Sequence, residues 1–176
     1  MKEDKRVAEF VAEAAKAAGL RATEDFMHNY ENVAKACGSP IERLLLAALI
    51  DSLSITEPSW TEGYVHYLAR GPEFPSVPAP FVGAYLWPQA QVDRFRADFL
   101  IFVRAKEGQT SWIAVECDGH EFHERTKEQA ARDRSRDRWM TANGIAVLRF
   151  TGMEIWRDPN KCADDVVALI EKMMGE

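Results

Sequence analysis

Two acidic residues stand at the end of an apolar, strand-like stretch of the sequence. The stretch is Ser111–Gly119, and it carries Glu116 and Asp118 after a run of apolar residues. Residues two positions apart in a strand point to the same face, so both carboxylates would project from one side of a sheet. Two buried carboxylates side by side repel each other unless a cation or a shared proton compensates their charge. The spacing therefore indicates a metal site rather than a stabilising feature.

A third acid stands in the neighbouring segment, Arg94–Val103, where Asp98 is followed by an apolar run. A hairpin between this segment and Ser111–Cys117 would bring Asp98 across from Glu116. Carboxylate oxygens are ligands that hard divalent cations such as Mg²⁺ and Mn²⁺ prefer. A cation held by Asp98, Glu116 and Asp118 would polarise a phosphoryl oxygen and lower the pKa of a bound water. These residues therefore predict phosphodiester hydrolysis.

Two histidines and a strongly charged helix follow the acids. His120 and His123 could shuttle a proton or contact a scissile phosphate, and each could equally be a turn histidine. A helix is predicted from about Thr126 to Asn143, where an Asn-Gly pair ends the pattern. Its arginines alternate with acids, which is typical of an exposed helix with intrahelical ion pairs. The candidates for phosphate contact are Arg132 and Arg136 on this helix and Arg149 on the following strand.

The first part of the chain is predicted to be helical. One amphipathic helix ends at Ala18, and a second is predicted at Thr23–Cys37. A third begins after Ser39, which is a candidate N-cap followed by Pro40, and Glu42 completes a capping box. Helix capping is therefore a sufficient structural explanation for Glu42.

The second part of the chain is predicted to contain the sheet. Gly71–Pro80 contains four prolines, which exclude a regular helix or a central strand, so we expect an extended linker. Because the last predicted strand follows the charged helix, which itself follows the acid-bearing strand, we expect a crossover in a parallel or mixed sheet. Besides the two strands that carry acids, we predict strands at Phe81–Trp87, Gln89–Val92 and Ile145–Phe150 and a closing helix at Cys162–Met174.

Composition limits the class of protein. The chain has 176 residues, 47% of them hydrophobic and 28% charged, which is typical of one globular domain with a sizeable core. The net charge of −6 argues against a general polyanion binder, so nucleic-acid binding would need a local basic patch or bound cations. The longest apolar run, Leu44–Ile50, is far shorter than the roughly 20 residues of a membrane-spanning helix. With three widely spaced cysteines and no signal-peptide pattern, we expect a cytoplasmic protein with no membrane contact.

Four segments, taken in order, resemble the core of the PD-(D/E)XK nuclease superfamily. The branch that they resemble most holds the small domains related to very-short-patch repair endonucleases. The resemblance extends over roughly Ser39 to Phe150, and the ordered combination is more specific than any one segment. The segments are Asp98–Ile101, Ala114–His120, Asp133–Met140 and Gly144–Phe150.

The resemblance implies an α/β fold of the restriction endonuclease-like type, in which helices flank a central mixed β-sheet. The chain 1–176 would be a single domain, with an N-terminal helical extension at 1–38 and a nuclease-like core at 39–176. The first two helices could supply the interface of a homodimer, which cutting both strands of DNA often requires.

The resemblance also implies roles for individual acids. Asp98 and Glu116 would be metal ligands, and Asp118 stands where the superfamily name has lysine. Many members place an acid near the metal on the helix before the sheet, which adds Glu42 to the candidate ligands. The missing lysine normally orients the attacking water or stabilises the transition state. The residues that could replace it are Lys127, Gln129, His120 and His123, and the sequence leaves the choice open.

The predicted function is a Mg²⁺- or Mn²⁺-dependent DNA endonuclease, in DNA repair, restriction or mobile-element defence. The alternative is a weakly active or inactive nuclease-fold module that binds nucleic acid or a protein partner. The missing lysine and the acidic composition favour this alternative, and the complete acid cluster disfavours it. A hydrolase of small phosphoesters has no sequence signal for a small-molecule pocket.

Overall fold

The structure is a computed structural model that describes residues 2–18, 30–31, 34–55, 83–119 and 127–175. Its helices are α1 (Lys2–Ala18), α2 (Pro40–Ile55), α3 (Lys127–Ala142), α4 (Gly152–Arg157) and α5 (Pro159–Met174). Its strands are β1 (Gly83–Val92), β2 (Phe95–Arg104), β3 (Thr110–Asp118) and β4 (Ile145–Thr151).

The four strands form one mixed sheet in the order β1-β2-β3-β4. The β1 and β2 strands are antiparallel, as are β2 and β3, whereas β3 and β4 are parallel. The α3 helix connects the parallel pair, which is the crossover that the strand-helix-strand pattern predicts. The predicted central mixed sheet with flanking helices is confirmed.

The sheet is covered by helices on both faces, so the buried residues form two clusters. One cluster joins α1, α2, α4 and α5 to the sheet, and it includes Ile101 and Ile113. The other cluster lies on the side of α3 and includes Leu100 and Met140. Because successive residues of a strand point to opposite faces, the continuous apolar run of β2 can fill both clusters at once.

The predicted start of α2 is confirmed in atomic detail. The hydroxyl of Ser39 accepts a hydrogen bond from the Glu42 backbone N–H at 3.2 Å. The carboxylate of Glu42 accepts from the Ser39 hydroxyl at 2.9 Å and from the Gly38 N–H at 2.8 Å. These bonds satisfy backbone and side-chain donors that the first turn of a helix would otherwise leave without partners.

Three elements differ from the predictions. The two strands predicted at Phe81–Trp87 and Gln89–Val92 form the single strand β1, which tolerates Pro88 because β1 is at the edge of the sheet. The closing helix begins at Pro159 rather than Cys162, because Asp158 caps it and proline suits the first helical position. The short α4 helix was not predicted, because a capping box and not periodicity defines it.

Some predictions lie outside the described residues. They are the linker Gly71–Pro80, the histidines His120 and His123, and the greater part of the helix predicted at Thr23–Cys37. Among the helices of the described ranges, none is long and apolar enough to cross a membrane.

Candidate functional site

The candidate site lies where β2 and β3 separate. The last backbone pair between the two strands is Phe99 with Val115, and the next residues along the strands are Asp98 and Glu116. At this point Oδ2 of Asp98 accepts a hydrogen bond from the Cys117 N–H at 2.8 Å. The register therefore places Asp98 across from Glu116, as the predicted hairpin requires.

A glutamine that sequence reasoning missed connects Asp98 to Glu42. Nε2 of Gln89 lies 2.7 Å from Oε2 of Glu42 and 3.2 Å from Oδ1 of Asp98. Gln89 has a φ of 52°, which is uncommon for a residue other than glycine and costs on the order of 1 kcal/mol. In the register of β1 with β2, Gln89 and Asp98 both lie between the pairs Pro88–Phe99 and Ala90–Ala97. The predicted division of β1 into two strands hid this relation.

Burial raises the pKa of two of these carboxyl groups. Glu116 is only 4% exposed, and burial raises its pKa to about 7, with Arg136 lowering it and Asp98 raising it further. Burial also raises the pKa of Glu42, while the hydrogen bond from Gly38 lowers it and the charge of Asp98 raises it. Asp98 thus interacts electrostatically with acids from both neighbouring elements, and a bound cation would relieve this repulsion.

Two arginines contact the acids at the end of β3. Nη1 of Arg136 on α3 lies 3.0 Å from Oε2 of Glu116. Arg149 on β4 bridges two acids, with Nη1 3.0 Å from Oδ1 of Asp118 and Nη2 2.8 Å from Oδ1 of Asp137 on α3. Glu116 and Asp118 therefore both interact with side chains on the α3 side of the sheet, in agreement with their spacing.

The other predicted residues of α3 lie nearer its beginning. Arg132 is exposed. Lys127 and Gln129 belong to the first turn, and their side chains are outside the described part of the chain. At 1.5 Å per residue, the helix separates Lys127 and Gln129 from Arg136 by about 13 Å and about 10 Å along its axis.

The donor chemistry of the site fits a hard divalent cation. In the described ranges, no group of three or more His, Cys, Asp or Glu side chains is arranged to hold a metal ion. Mg²⁺ usually binds through one or two carboxylates and completes its coordination with water and substrate phosphate oxygens, so two acids such as Asp98 and Glu116 would be sufficient protein ligands. The carboxylates of Glu42 and Asp118 already bind Gln89 and Arg149, respectively. The metal-binding roles of all four acids stay predictions.

The fold defines the class of protein to which the chain belongs. The protein has a mixed four-stranded sheet with helices on both faces. Together with the match to a family model, this architecture defines a restriction endonuclease-like PD-(D/E)XK domain. The chain is a member of the family REase_MTES_1575, whose sequence model matches residues 82–170, just over half of the chain. This restriction endonuclease-like family indicates a nuclease. No curated protein and no solved structure matches the chain.

Proposed function

We propose that the protein is a divalent-cation-dependent DNA endonuclease that hydrolyses phosphodiester bonds. The observation that carries this proposal is the convergence of acids at one point of the sheet, where Asp98 is tied through Gln89 to Glu42 and lies across from Glu116. A buried carboxyl group with a pKa of about 7 opposite a second acid is typical of a functional site. The restriction endonuclease-like family supports the same chemistry.

In this proposal Asp98 and Glu116 would hold Mg²⁺ or Mn²⁺. The bound cation would activate a water and offset the charge of the phosphate. The protein itself orients the ligands. The Cys117 N–H fixes one oxygen of Asp98 and the Gln89 amide fixes the other, so this carboxylate has a defined orientation before any cation binds. Arg132, exposed on α3, would contact a backbone phosphate of the DNA.

A plasmid assay tests the proposed site. Supercoiled DNA is incubated with the protein and Mg²⁺ or Mn²⁺, and the loss of the supercoiled form is followed on a gel. Replacing Glu116 or Asp98 by Ala is expected to slow nicking at least about 100-fold, because each removes a proposed ligand of the cation that would offset the charge of the transition state. Glu107→Ala, at an exposed acid in the turn between β2 and β3, is the matched control. Nicking at the wild-type rate by Glu116→Ala would contradict the site.

The products of the same assay report how many copies act together. Nicked circles are expected from one copy that cuts one strand. A linear product formed directly would support the homodimer that we propose for cutting both strands. Its rate would then rise more steeply than in proportion to protein concentration.

A second candidate function is binding of nucleic acid or a protein partner with little or no cleavage. The observation that favours it is that Asp118, at the position of the missing lysine, is bound by Arg149. A wild-type protein that shifts DNA in a gel, and leaves plasmid, single-stranded, mismatched and branched DNA intact with both cations, would establish this second function.

A further inference from the structure

The end of β3 lacks the positive charge that a lysine would supply there. Asp118 occupies that position, and its carboxylate binds Nη1 of Arg149 at 3.0 Å. The other terminal nitrogen of Arg149 lies 2.8 Å from Asp137. Because Arg149 lies between two acids, its charge is more than balanced and its hydrogen-bond donors are directed at protein groups.

Arg136 has different surroundings. Its Nη1 lies 3.0 Å from Glu116, and its Nη2 is 4.0 Å from Asp133, which is too long for a hydrogen bond. Its buried Nε has no hydrogen-bond partner among the described residues. The side chain as a whole is 19% exposed. A guanidinium has five N–H donors, and Glu116 uses only a part of them.

We infer that Arg136 supplies, from α3, the positive charge that Asp118 removes from the end of β3. This inference rests on the proposed nuclease function. Among the α3 residues whose side chains the structure describes, Arg136 contacts the candidate metal ligand Glu116. The backbone positions of Lys127 and Gln129 lie about two helical turns or more from it along the helix. A guanidinium group also suits a phosphate, because its remaining N–H donors can bind phosphate oxygens.

The contact with Glu116 has a measurable consequence. Arg136 and a divalent cation both interact with the same carboxylate, and two positive charges at one site repel each other. Removing the guanidinium is therefore expected to strengthen cation binding and at the same time to weaken cleavage. A residue with a merely structural role would weaken both.

The experiment compares Mn²⁺ affinity with DNA nicking in the full chain. Mn²⁺ binding is measured by titration calorimetry without DNA at pH 8.5, a basic pH that favours the ionised form of carboxyl groups. Arg136→Gln is expected to bind Mn²⁺ about tenfold more tightly, which corresponds to about 1.4 kcal/mol, and to nick plasmid about 100-fold more slowly. Arg136→Lys keeps the charge and is expected to recover part of the nicking. Arg138→Gln, at an exposed arginine of the same helix, is the charge-matched control and is expected to change neither quantity.

Each other outcome has a defined meaning. Wild-type affinity and nicking in Arg136→Gln would overturn the inference, and so would parallel loss of both quantities in Arg136→Gln and Arg136→Lys. Circular dichroism checks that each variant is folded, and Arg136→Lys carries the test if the Gln variant is not. A wild-type protein that neither binds Mn²⁺ nor nicks DNA would overturn the proposed function itself, so the two failures are distinguishable.

Discussion

The substitution Glu116→Gln is expected to remove the free-energy cost of ionising this buried carboxyl group in the metal-free folded protein, a cost that depends on pH. The pKa of Glu116 is about 7 in the folded protein, against an ordinary value of 4.5. The folded protein therefore keeps this proton up to about pH 7, whereas the unfolded chain releases it near pH 4.5. It follows that the free energy of unfolding falls as the pH rises through this window, and the full cost is present above pH 7.

The size of the effect follows from the same two values. Each pKa unit corresponds to about 1.4 kcal/mol, so ionising Glu116 in the folded protein costs about 3 kcal/mol. Glutamine carries no charge at any pH and retains an oxygen that can accept the hydrogen bond from Arg136. The stability of Glu116→Gln relative to the wild type is therefore expected to rise by about 2 to 3 kcal/mol between pH 5 and pH 8.

Urea unfolding, followed by tryptophan fluorescence in the presence of EDTA, measures this difference at several pH values. Comparing the two proteins at each pH cancels the contributions of carboxyl groups that both contain, including Glu42. The control is Glu107→Gln, at an exposed acid, for which the difference from the wild type is expected to stay constant with pH. Parallel curves for Glu116→Gln and the wild type would refute the reasoning from burial.

Three further substitutions test the supports of the site by urea unfolding. Gln89→Ala removes the amide shared by two carboxylates, and its control Gln91→Ala removes an exposed hydrogen bond. At pH 8 the first substitution is expected to lower the free energy of unfolding by about 1 to 2 kcal/mol more than the second. Equal costs would contradict the bridge between the two acids. Thr151→Ala removes the cap of α4 and is expected to cost about 1 kcal/mol; no loss would show that the cap is dispensable. Gly152→Ala would place a Cβ atom 3.1 Å from the backbone oxygen of Asp118. The resulting strain is expected to lower the free energy of unfolding by about 1 to 3 kcal/mol. Unchanged stability would show that the end of the strand can shift freely.

The sequence predicts the strands of the sheet and the positions of the acids well where one physical signal dominates. The apolar runs of β2 and β3 predict two buried strands, and the short turn between them predicts the hairpin that brings Asp98 across from Glu116. The unusual backbone of Gln89 could not be predicted, because Pro88 made the edge strand resemble two short strands. An edge position is a property of the whole sheet and is invisible in a local pattern.

The partners of the acids were also beyond sequence reasoning. Alternating charges along α3 indicate an exposed helix, and this interpretation is correct for Arg132, Arg134 and Arg138, which are exposed. It is wrong for Arg136, whose shorter contact is with Glu116 rather than with Asp133 in the preceding turn. Which arginine reaches the sheet depends on the rotation of the helix after the crossover, and local charge pairing carries no information about that rotation.

The position of α2 in the core limits how far a fragment of this chain can be shortened. The family match begins at residue 82, yet α2 contributes a nearly unbroken series of inaccessible side chains, including Leu44 and Leu49, to the cluster that covers one sheet face. A fragment of residues 82–170 would expose that face to water, and we expect it to aggregate. Because the same helix places Glu42 near the other acids, such a truncation would remove both the helix that covers this sheet face and the Glu42 carboxylate. The segment that the family model matches is therefore shorter than the unit that we expect to be needed to assemble the site.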